Sequence, residues 1–227
     1  MKILLLSATI AEVAPTINWL RARADQEEGN ILHFGTVTVE VLFTGVGLTA
    51  TAYTLGHRFG SATLPQLALQ VGIGGAIDRD LKLGDVVKIT SERFGDLGAE
   101  APDGSHLSLG EIGLHPGRPF NKQEVLEAPQ GLASLPFADA AGISVNQVSG
   151  SADGIARLRA RFPEAQVESM EGAAFFFACL QAGVEPLQLR AISNYVEVRN
   201  RKAWKMKEAI TALNEAVQQL LGAFIQA

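Results

Sequence analysis

Two polar residues flank the most apolar stretch of the chain. Glu171 follows a short segment of strand residues, and Asn194 ends the strand-like segment PLQLRAISN. Between them, residues 172–183 are apolar on nearly every face, which predicts a helix buried on most sides. A right-handed strand–helix–strand unit would carry both polar groups to the carboxyl ends of parallel neighbouring strands. Open α/β sheets bind ligands at that edge, so the pair predicts a ligand site.

Each candidate residue also has a purely structural interpretation. A carboxylate such as Glu171 is favoured at the positive end of a helix dipole, and Asn194 could cap the last helix. Glu12, just after the first predicted strand, could be an ordinary acid of a helix N-terminus. The residue types alone leave the functional and structural interpretations open.

A glycine-rich segment is the third feature of interest. Residues 67–71 are strand-like and lead into Gly72-Ile73-Gly74-Gly75, where we expect a turn. Its three glycines would let the backbone pass close to another group. A second turn is expected at residues 81–85, before a strand over residues 86–90.

The flanking elements alternate between strand and helix. We expect a buried strand over residues 2–7 and a helix over residues 11–24. Residues 31–43 alternate in part between apolar and polar, which is typical of a half-buried strand or hairpin, and a helix follows through Arg58. A further strand is expected over residues 138–149.

The rest of the chain divides into loops and one long helix. Residues 94–137 are rich in glycine and proline, which predicts long loops with one short helix after Asn121. The last helix is expected over residues 200–224. Its apolar stripe would consist of Met206, Ile210, Leu213, Val217, Leu220 or Leu221, and Phe224.

Composition restricts the class of protein. The chain has 227 residues, 47% hydrophobic and 19% charged, and we expect a single domain over residues 1–227. The opening MKILLLSAT is too short in apolar residues for a signal peptide, and no run is long enough to span a bilayer. Without such segments, we expect a soluble, cytoplasmic protein. Because Cys179 is the only cysteine, we expect no disulfides.

Charge and ligand types restrict the partners. The net charge of −5 and the lack of a basic block argue against nucleic-acid and anionic-membrane partners, and favour a small-molecule ligand. The four histidines are scattered without metal-ligand spacing. We therefore expect no metal and no cofactor.

In their order and spacing, these features resemble the purine nucleoside phosphorylase and nucleosidase superfamily. Its members carry an early acidic residue or glycine turn, a GxGG-type turn followed by LKxGD, a Met-Glu pair, and Ser-Asp or Ser-Asn. The matching positions are Glu12, residues 72–75 and 81–85, Met170-Glu171 and Ser193-Asn194. The resemblance covers nearly the whole chain. It implies an α/β fold of three layers in a single domain, with a central twisted mixed sheet flanked by helices.

Two segments narrow the resemblance. Residues 92–100 (ERFGDLGAE) and 191–201 (AISNYVEVRNR) are similar to segments of the futalosine hydrolase family, which acts in the alternative menaquinone pathway. This implies hydrolysis of futalosine to dehypoxanthine futalosine and hypoxanthine. The alternatives are a nucleosidase or phosphorylase for another purine nucleoside, such as inosine or methylthioadenosine, and a non-catalytic purine-nucleoside binding protein.

The resemblance also implies a role for each site residue. Breaking an N-glycosidic bond builds positive charge on the ribose, leaves an anion on the purine and requires a nucleophile at the anomeric carbon. Glu12 would deprotonate the attacking water, and Glu171 would bind the ribose hydroxyls and stabilise the cationic transition state. Met170 would pack against the sugar, and Asn194 would meet the N7 and O6 side of the base. Other substrate-binding residues would be Gly72, Ile73, Gly74, Ser193 and Arg199.

Water, rather than phosphate, is the expected nucleophile. Phosphorylases of this superfamily hold the anion with arginines and a serine, whereas the matching positions here are Gln70 and Ile73. Neither is charged, and Glu12 would repel an anion at the same point.

Two further expectations concern the benzoate end of the substrate and the oligomeric state. Futalosine ends in a benzoate, for which an arginine is the natural partner. Arg199 is preferred because it lies close to Asn194 in sequence, although a solvated charge cluster before the last helix is the alternative. The other candidates are Arg93, Arg118 and Arg201. Since the superfamily often completes its pockets across a dimer interface, we also expect a homo-oligomer.

Overall fold

The computed structural model describes residues 1–129 and 135–226. Its strands are β1 (Lys2–Ser7), β2 (Gln26–Glu28), β3 (Ile31–Phe34), β4 (Val37–Phe43), β5 (Leu67–Ala76), β6 (Val86–Phe94), β7 (Ala99–Glu100), β8 (His106–Leu107), β9 (Leu126–Glu127), β10 (Ala138–Ser144), β11 (Val167–Ser169) and β12 (Glu185–Tyr195). Its helices are α1 (Ile10–Arg21), α2 (Leu48–Ser61), α3 (Ala152–Arg161), α4 (Gly172–Ala182), a 3₁₀ helix (Arg201–Ala203) and α5 (Met206–Ile225). None of these helices is both long and apolar enough to cross a membrane.

Most strands belong to one mixed sheet. Its order is β11-β10-β6-β12-β5-β1-β4-β3-β2, with β9 paired to β6. β11 also pairs with the end of β5, so β5, β12, β6, β10 and β11 form a closed ring. The strands β1, β4, β3 and β2 extend from that ring as an open sheet, and β7 and β8 form a separate two-stranded ribbon.

Helices cover both faces of this sheet, as β1 illustrates. Ile3 and Leu5 pack in a buried cluster with residues of α1 and α5, whereas Leu4 and Leu6 pack in a second cluster with residues of α2 and α4. Successive side chains of a strand point to opposite faces, so an uninterrupted apolar run is what a covered strand requires. The expected fold, a central mixed sheet flanked by helices, is confirmed.

α4 is the buried crossover that its sequence predicted. Phe175 and Phe176 are fully buried, and Gly183 ends the helix with a left-handed φ of 69°. The expectation of parallel neighbouring strands on either side was wrong. β12 runs parallel to β5, but β11 runs antiparallel to the end of β5, because β11 closes the ring from the other side.

The glycine-rich segment was expected to be a turn, and this expectation was wrong too. Residues 72–75 continue β5, where they pair with β12. A Cβ at Gly72 would lie 2.6 Å from Nη1 of Arg190, and a Cβ at Gly74 would lie 2.7 Å from Cγ1 of Val167. The glycines therefore permit close approach, as predicted, but by side chains of the protein across a ring of strands.

The remaining predictions differ from the structure mainly at element ends. Residues 31–43 form the hairpin of β3 and β4, which β2 extends. The described part of residues 94–137 contains the short strands β7, β8 and β9. No helix lies in residues 122–129, and the rest of the region in which a short helix was expected, residues 130–134, lies outside the described part. In α5, Leu213, Val217, Leu220 and Leu221 are buried as expected, whereas Met206 is exposed.

Candidate active site

Glu12 lies in the first turn of α1 and reaches β5. Its Oε2 accepts hydrogen bonds from Ser7 Oγ (2.9 Å) and from N and Oγ1 of Thr9 (both 3.1 Å). Its Oε1 accepts a hydrogen bond from the backbone N–H of Ile73 (3.2 Å). Glu12 is therefore an acid of a helix N-terminus, as the structural interpretation held, and is also oriented toward the glycine-rich part of β5.

Arg190, on β12, is the central cation of the site and was missed by the sequence analysis. It is 2% exposed. Its Nη1 donates to the Ile73 carbonyl (3.3 Å) and to Glu171 Oε2 (3.4 Å), and its Nη2 donates to Gln70 Oε1 (3.1 Å). Nε and Nη2 both donate to Gln188 Oε1, at 3.1 and 3.0 Å. The available signal was a charge in the middle of a strand that the sequence predicted to be buried, since a buried arginine must be paired.

Glu171 directly precedes α4 and is 5% exposed. Its Oε2 accepts from Arg190, and its Oε1 accepts from the backbone N–H of Gly47 (3.1 Å). The side chain makes no capping hydrogen bond to α4. Glu171 thus lies at a helix N-terminus, as the purely structural interpretation expected. Its side chain nevertheless bonds Arg190 and Gly47 rather than the helix. Met170, half-buried, lies between β11 and Glu171.

Gly72 shows how closely the charged groups approach one another. A Cβ built on Gly72 would lie 2.6 Å from Arg190 Nη1 and 3.0 Å from Glu12 Oε1. Arg190 also bonds Glu171, so the structure brings Glu12, Arg190 and Glu171 to one short stretch of β5. We call these three residues the charged cluster.

Ser193 and Asn194 lie near the end of β12, beyond the charged cluster. Ser193 Oγ donates to Asn194 Oδ1 (2.8 Å) and to the Gly74 carbonyl (3.3 Å). Asn194 Nδ2 donates to the Tyr195 carbonyl (3.0 Å). The alternative that Asn194 caps the last helix was wrong, because α5 begins at Met206. The amide is instead held by its neighbours on β12, Ser193 and Tyr195.

The candidate arginines are spread over several environments. The guanidinium of Arg199 lies 5.6 Å from the centre of the Trp204 ring, and that of Arg201 lies 6.0 Å from it. Trp204 is close in sequence to Lys205, whose backbone N–H donates to the Ser193 carbonyl (2.7 Å). Arg93 instead pairs with Glu164 (Nε to Oε1, 2.7 Å), and Arg118 is exposed.

A third carboxylate lies behind the charged cluster. Glu92, on β6, is 1% exposed, and burial raises its pKa to about 7. Hydrogen bonds from Gln188 and Ser144 and the charge of Arg190 oppose this increase in pKa, whereas the charge of Glu171 adds to it. Burial also raises the pKa of Glu168, whose carboxylate accepts hydrogen bonds from Ser149.

Cavity size does not identify the site. Cavities of about 740 and 750 Å³ lie elsewhere, the first beside Arg93 and Arg161 and the second beside Lys88 and Asp139. Neither is lined by a residue of the charged cluster. The chemistry of the side chains is the better guide, because the charged cluster contains two buried charges, Arg190 and Glu171, and all three of its residues have defined hydrogen-bond partners. Within residues 1–129 and 135–226, no group of three or more His, Cys, Asp or Glu side chains is placed to hold a metal ion.

Comparison with known proteins identifies the family. The model of the phosphorylase superfamily matches residues 2–226. Futalosine hydrolase of Thermus thermophilus is 35% identical over 184 residues, which cover 79% of this chain and 80% of the relative. The chain belongs to the futalosine hydrolase family. Its predicted family and enzyme class, a hydrolase of a nucleoside N-glycosidic bond, are thereby confirmed.

Solved structures agree at the level of the fold. The futalosine hydrolase of Helicobacter pylori superposes with a TM-score of 0.77 at 18% identity, covering 98% of each chain. A methylthioadenosine/S-adenosylhomocysteine nucleosidase of Colwellia psychrerythraea, in complex with adenine, superposes with a TM-score of 0.73 at 20% identity. That match covers 98% of this chain and 95% of the nucleosidase. This protein thus shares its fold with a nucleosidase whose structure contains bound adenine.

Proposed function

We propose that the protein hydrolyses futalosine to dehypoxanthine futalosine and hypoxanthine, as a step of menaquinone biosynthesis. The observation that carries this proposal is the charged cluster, in which two carboxylates face one buried arginine across Gly72. Hydrolysis needs a base for the water and a negative charge beside the cationic ribose, and these two carboxylates have the chemistry for both.

Glu12 is the proposed general base. Its carboxylate accepts four hydrogen bonds, which fix its direction. It takes a proton from water as the water oxygen bonds to the anomeric carbon. The carbon–nitrogen bond breaks as this bond forms, so the sugar is cationic in the transition state, and the electron pair of the broken bond leaves on the purine, which is released after protonation.

Glu171 and Met170 are proposed to bind the ribose. Glu171 Oε1 accepts only the Gly47 N–H in the described structure, so it has lone pairs for ribose hydroxyls. Its charge stabilises the cationic sugar more in the transition state than in the substrate. Arg190 pairs with Glu171, and its positive charge offsets the negative charge of that carboxylate. Met170 supplies an apolar surface beside the sugar.

Asn194 is proposed to bind the leaving purine. A 6-oxo purine presents acceptors at N7 and O6, and the amide NH₂ of Asn194 is a donor with one hydrogen bonded to Tyr195. The hydrogen bond from Ser193 orients the amide so that its oxygen faces Ser193 and its NH₂ is available to the base. Gly72, Ile73 and Gly74 form the backbone surface between the sugar and the base.

The arrangement favours water over phosphate. Gln70 has its Oε1 bound to Arg190, and the backbone N–H of Ile73 donates to Glu12. Arg190, the buried cation beside them, already pairs with Glu171. A phosphate here would face two carboxylates with its natural partners occupied, which is unfavourable. The Nε2 of Gln70 is buried without a hydrogen-bond partner in the described structure, and a water molecule can accept from it.

Arg199, with Arg201, is proposed to bind the benzoate of futalosine. Both guanidinium groups lie against Trp204, next to the backbone that carries Ser193. An aromatic ring flanked by two cations suits a benzoate, because the ring can stack and the carboxylate can pair with an arginine.

The decisive experiment is incubation of the protein with futalosine, inosine and methylthioadenosine, each with and without phosphate. We expect hypoxanthine and a reducing sugar from futalosine, at a rate independent of phosphate. Formation of a sugar 1-phosphate would identify a phosphorylase. Release of base only from inosine or methylthioadenosine would identify a different nucleosidase. Tight binding of futalosine without turnover would identify a binding protein.

We further propose a cytoplasmic homo-oligomer. Exposed apolar side chains at the start of α1, at the end of β4 and on or just before α2 support association, since large apolar side chains favour burial in an interface. They include Ile10, Phe43, Val46 and Tyr53, of which Tyr53 is 74% exposed. Light scattering of the purified protein would report a mass above that of one chain.

A further inference from the structure

The buried carboxylate of Glu92 is connected to the charged cluster through a single side chain. Gln188 Nε2 donates to Glu92 Oε1 (2.9 Å), and Gln188 Oε1 accepts from Nε and Nη2 of Arg190. The Gln188 amide thus has one end on a carboxylate and the other on the guanidinium. Because an amide has a donor end and an acceptor end, the carboxylate determines which end faces Arg190.

The second oxygen of Glu92 is also held. Oε2 accepts from Ser144 Oγ (3.0 Å), and Ser144 in turn accepts from the backbone N–H of Ala173, in the first turn of α4. Ser144 Oγ lies 3.2 Å from Ser169 Oγ, on β11. Glu92 is therefore held directly by β10 and β12, and β11 and α4 hold Ser144 in turn; Glu92 is only 1% exposed.

We infer that Glu92 is a positioning residue, which holds Arg190 in place through Gln188 and so sets the geometry of Glu171 and Glu12. The inference rests on the proposed hydrolysis for its kinetic consequence. Its structural consequence, the position of Arg190, is independent of any substrate. Glu92 itself does not touch the bound nucleoside in this arrangement, because Gln188 and Arg190 stand between them.

A structural role alone does not account for a carboxylate at this position. A buried apolar side chain in place of a buried ionisable group is usually as stable or more stable. The carboxylate instead gives Gln188 a defined orientation and adds a negative charge behind Arg190. That charge favours the cationic ribose of the transition state when Glu92 is ionised.

The charged groups around Glu92 allow the direction of its pH effect to be stated. Arg190 on β12 and Glu171 at the start of α4 are the charges that act on it, while β10 and β11 contribute the neutral Ser144 and Ser169. Ionisation of Glu92 near pH 7 therefore adds a negative charge close to the charged cluster. Turnover should rise as pH increases through this region.

The kinetic test compares Glu92→Gln with Glu92→Leu in the full-length protein. Glu92→Gln keeps an acceptor for Gln188 but cannot ionise, so it should match the wild type at pH 6. At pH 8 it should turn over about three- to tenfold more slowly, as expected for the loss of one nearby charge. Glu92→Leu removes the acceptor, and should lower kcat by about 10² with little change in KM, because the catalytic groups are misplaced.

Glu168→Gln is the matched control. It neutralises another buried carboxylate with a raised pKa, but one whose hydrogen bonds go to Ser149 rather than to Gln188. The rate at pH 8 divided by the rate at pH 6 should be the same for Glu168→Gln as for the wild type. Gln188→Leu should reproduce the defect of Glu92→Leu, and the double variant should be no worse than either alone, since both interrupt one connection.

A substrate-free measurement separates this inference from the proposed function. In crystal structures of Glu92→Leu or Gln188→Leu, the Arg190 guanidinium should leave its positions beside Gln70 and Glu171. If wild-type protein releases no base from futalosine, the proposed function fails and these structures decide the inference. An unmoved Arg190 in the variant structures, or equal pH profiles of Glu92→Gln and wild type in an active enzyme, would overturn it.

Discussion

At the scale of single residues, the site is a problem of charge balance. Three carboxylates, Glu12, Glu92 and Glu171, lie near one buried cation, Arg190. A buried charge is tolerated only when it is paired and hydrogen-bonded, and Arg190 donates five hydrogen bonds to four acceptor atoms. The carboxylate least accessible to water, Glu92, accordingly has its pKa raised, to about 7.

Glu12→Gln should remove most turnover. A positioned general base typically contributes about 10² to 10⁴ in rate, and the amide cannot accept a proton from water. Binding of futalosine, measured by calorimetry, should change little, because the side chain keeps its size. Glu40→Gln is the control, since it neutralises a half-buried carboxylate that pairs with Arg58 rather than with the site. Full activity of Glu12→Gln would reduce Glu12 to a helix-end acid.

Asn194→Asp should change which purine is preferred. The amide NH₂ suits a 6-oxo purine, whereas a carboxylate suits the donors of a 6-amino purine. An unpaired polar group in a desolvated site costs about 1 to 3 kcal/mol. The ratio of kcat/KM for futalosine to that for its 6-amino analogue should therefore fall or reverse. Asn200→Asp adds the same charge at an exposed position and should leave the ratio unchanged; an unaltered ratio in Asn194→Asp would mean the purine edge is bound elsewhere.

At the scale of elements, α5 holds the part of α1 that carries Glu12. Asn214 Oδ1 accepts from N (2.9 Å) and Oγ1 (2.6 Å) of Thr16, and its Nδ2 donates to the Glu12 carbonyl (2.8 Å). This amide, 3% exposed, lies in the stripe of α5 that is otherwise apolar. It connects two groups one turn apart on α1, next to Pro15, which has no N–H to offer.

Asn214→Leu should destabilise the protein by about 2 to 4 kcal/mol, because buried polar groups of α1 lose their partner. It should also lower kcat, since the first turn of α1 is no longer held against α5. Denaturant unfolding and a rate assay test the two consequences. Gln219→Leu makes a similar change at an exposed position of α5 and should stay within about 0.5 kcal/mol of the wild type. Equal stability of both variants would contradict this role for Asn214.

At the scale of the whole molecule, the site exists only after the ring of strands has closed. Glu12 comes from α1, Glu171 from the turn between β11 and α4, and Arg190 from β12. They meet because β5 pairs with β1 over its first four residues, with β12 along its length and with β11 at its end. Stability of the fold and geometry of the site are consequently linked.

The wild type should lose stability as pH rises from about 5 to 7. Glu92 has its pKa raised from 4.5 to about 7 in the folded protein, so the folded state binds more protons than the unfolded state in this window. Its stabilising contribution is present below pH 4.5 and is lost by about pH 7, a change of up to about 3 kcal/mol. Glu92→Gln should lack this part of the pH dependence in denaturant unfolding. Parallel curves for the two proteins would show that Glu92 does not titrate in this range.

The sequence by itself determined the two covered faces of β1, the buried helix α4, most of the stripe of α5 and the family. These follow from local periodicity and from short motifs, which carry their signal within a few residues. It also placed Glu12, Glu171 and Asn194 as candidates, although their roles stay predictions.

Only the tertiary structure decided how those residues meet. Residues 72–75 had the composition of a turn, yet they continue β5, because pairing with β12 on one side and closure by β11 at the end keep the chain extended. Arg190 and Glu92 had no local motif, since their partners lie on strands distant in sequence. Strand pairing between distant segments is set by the closed ring as a whole, and a linear pattern does not contain that information.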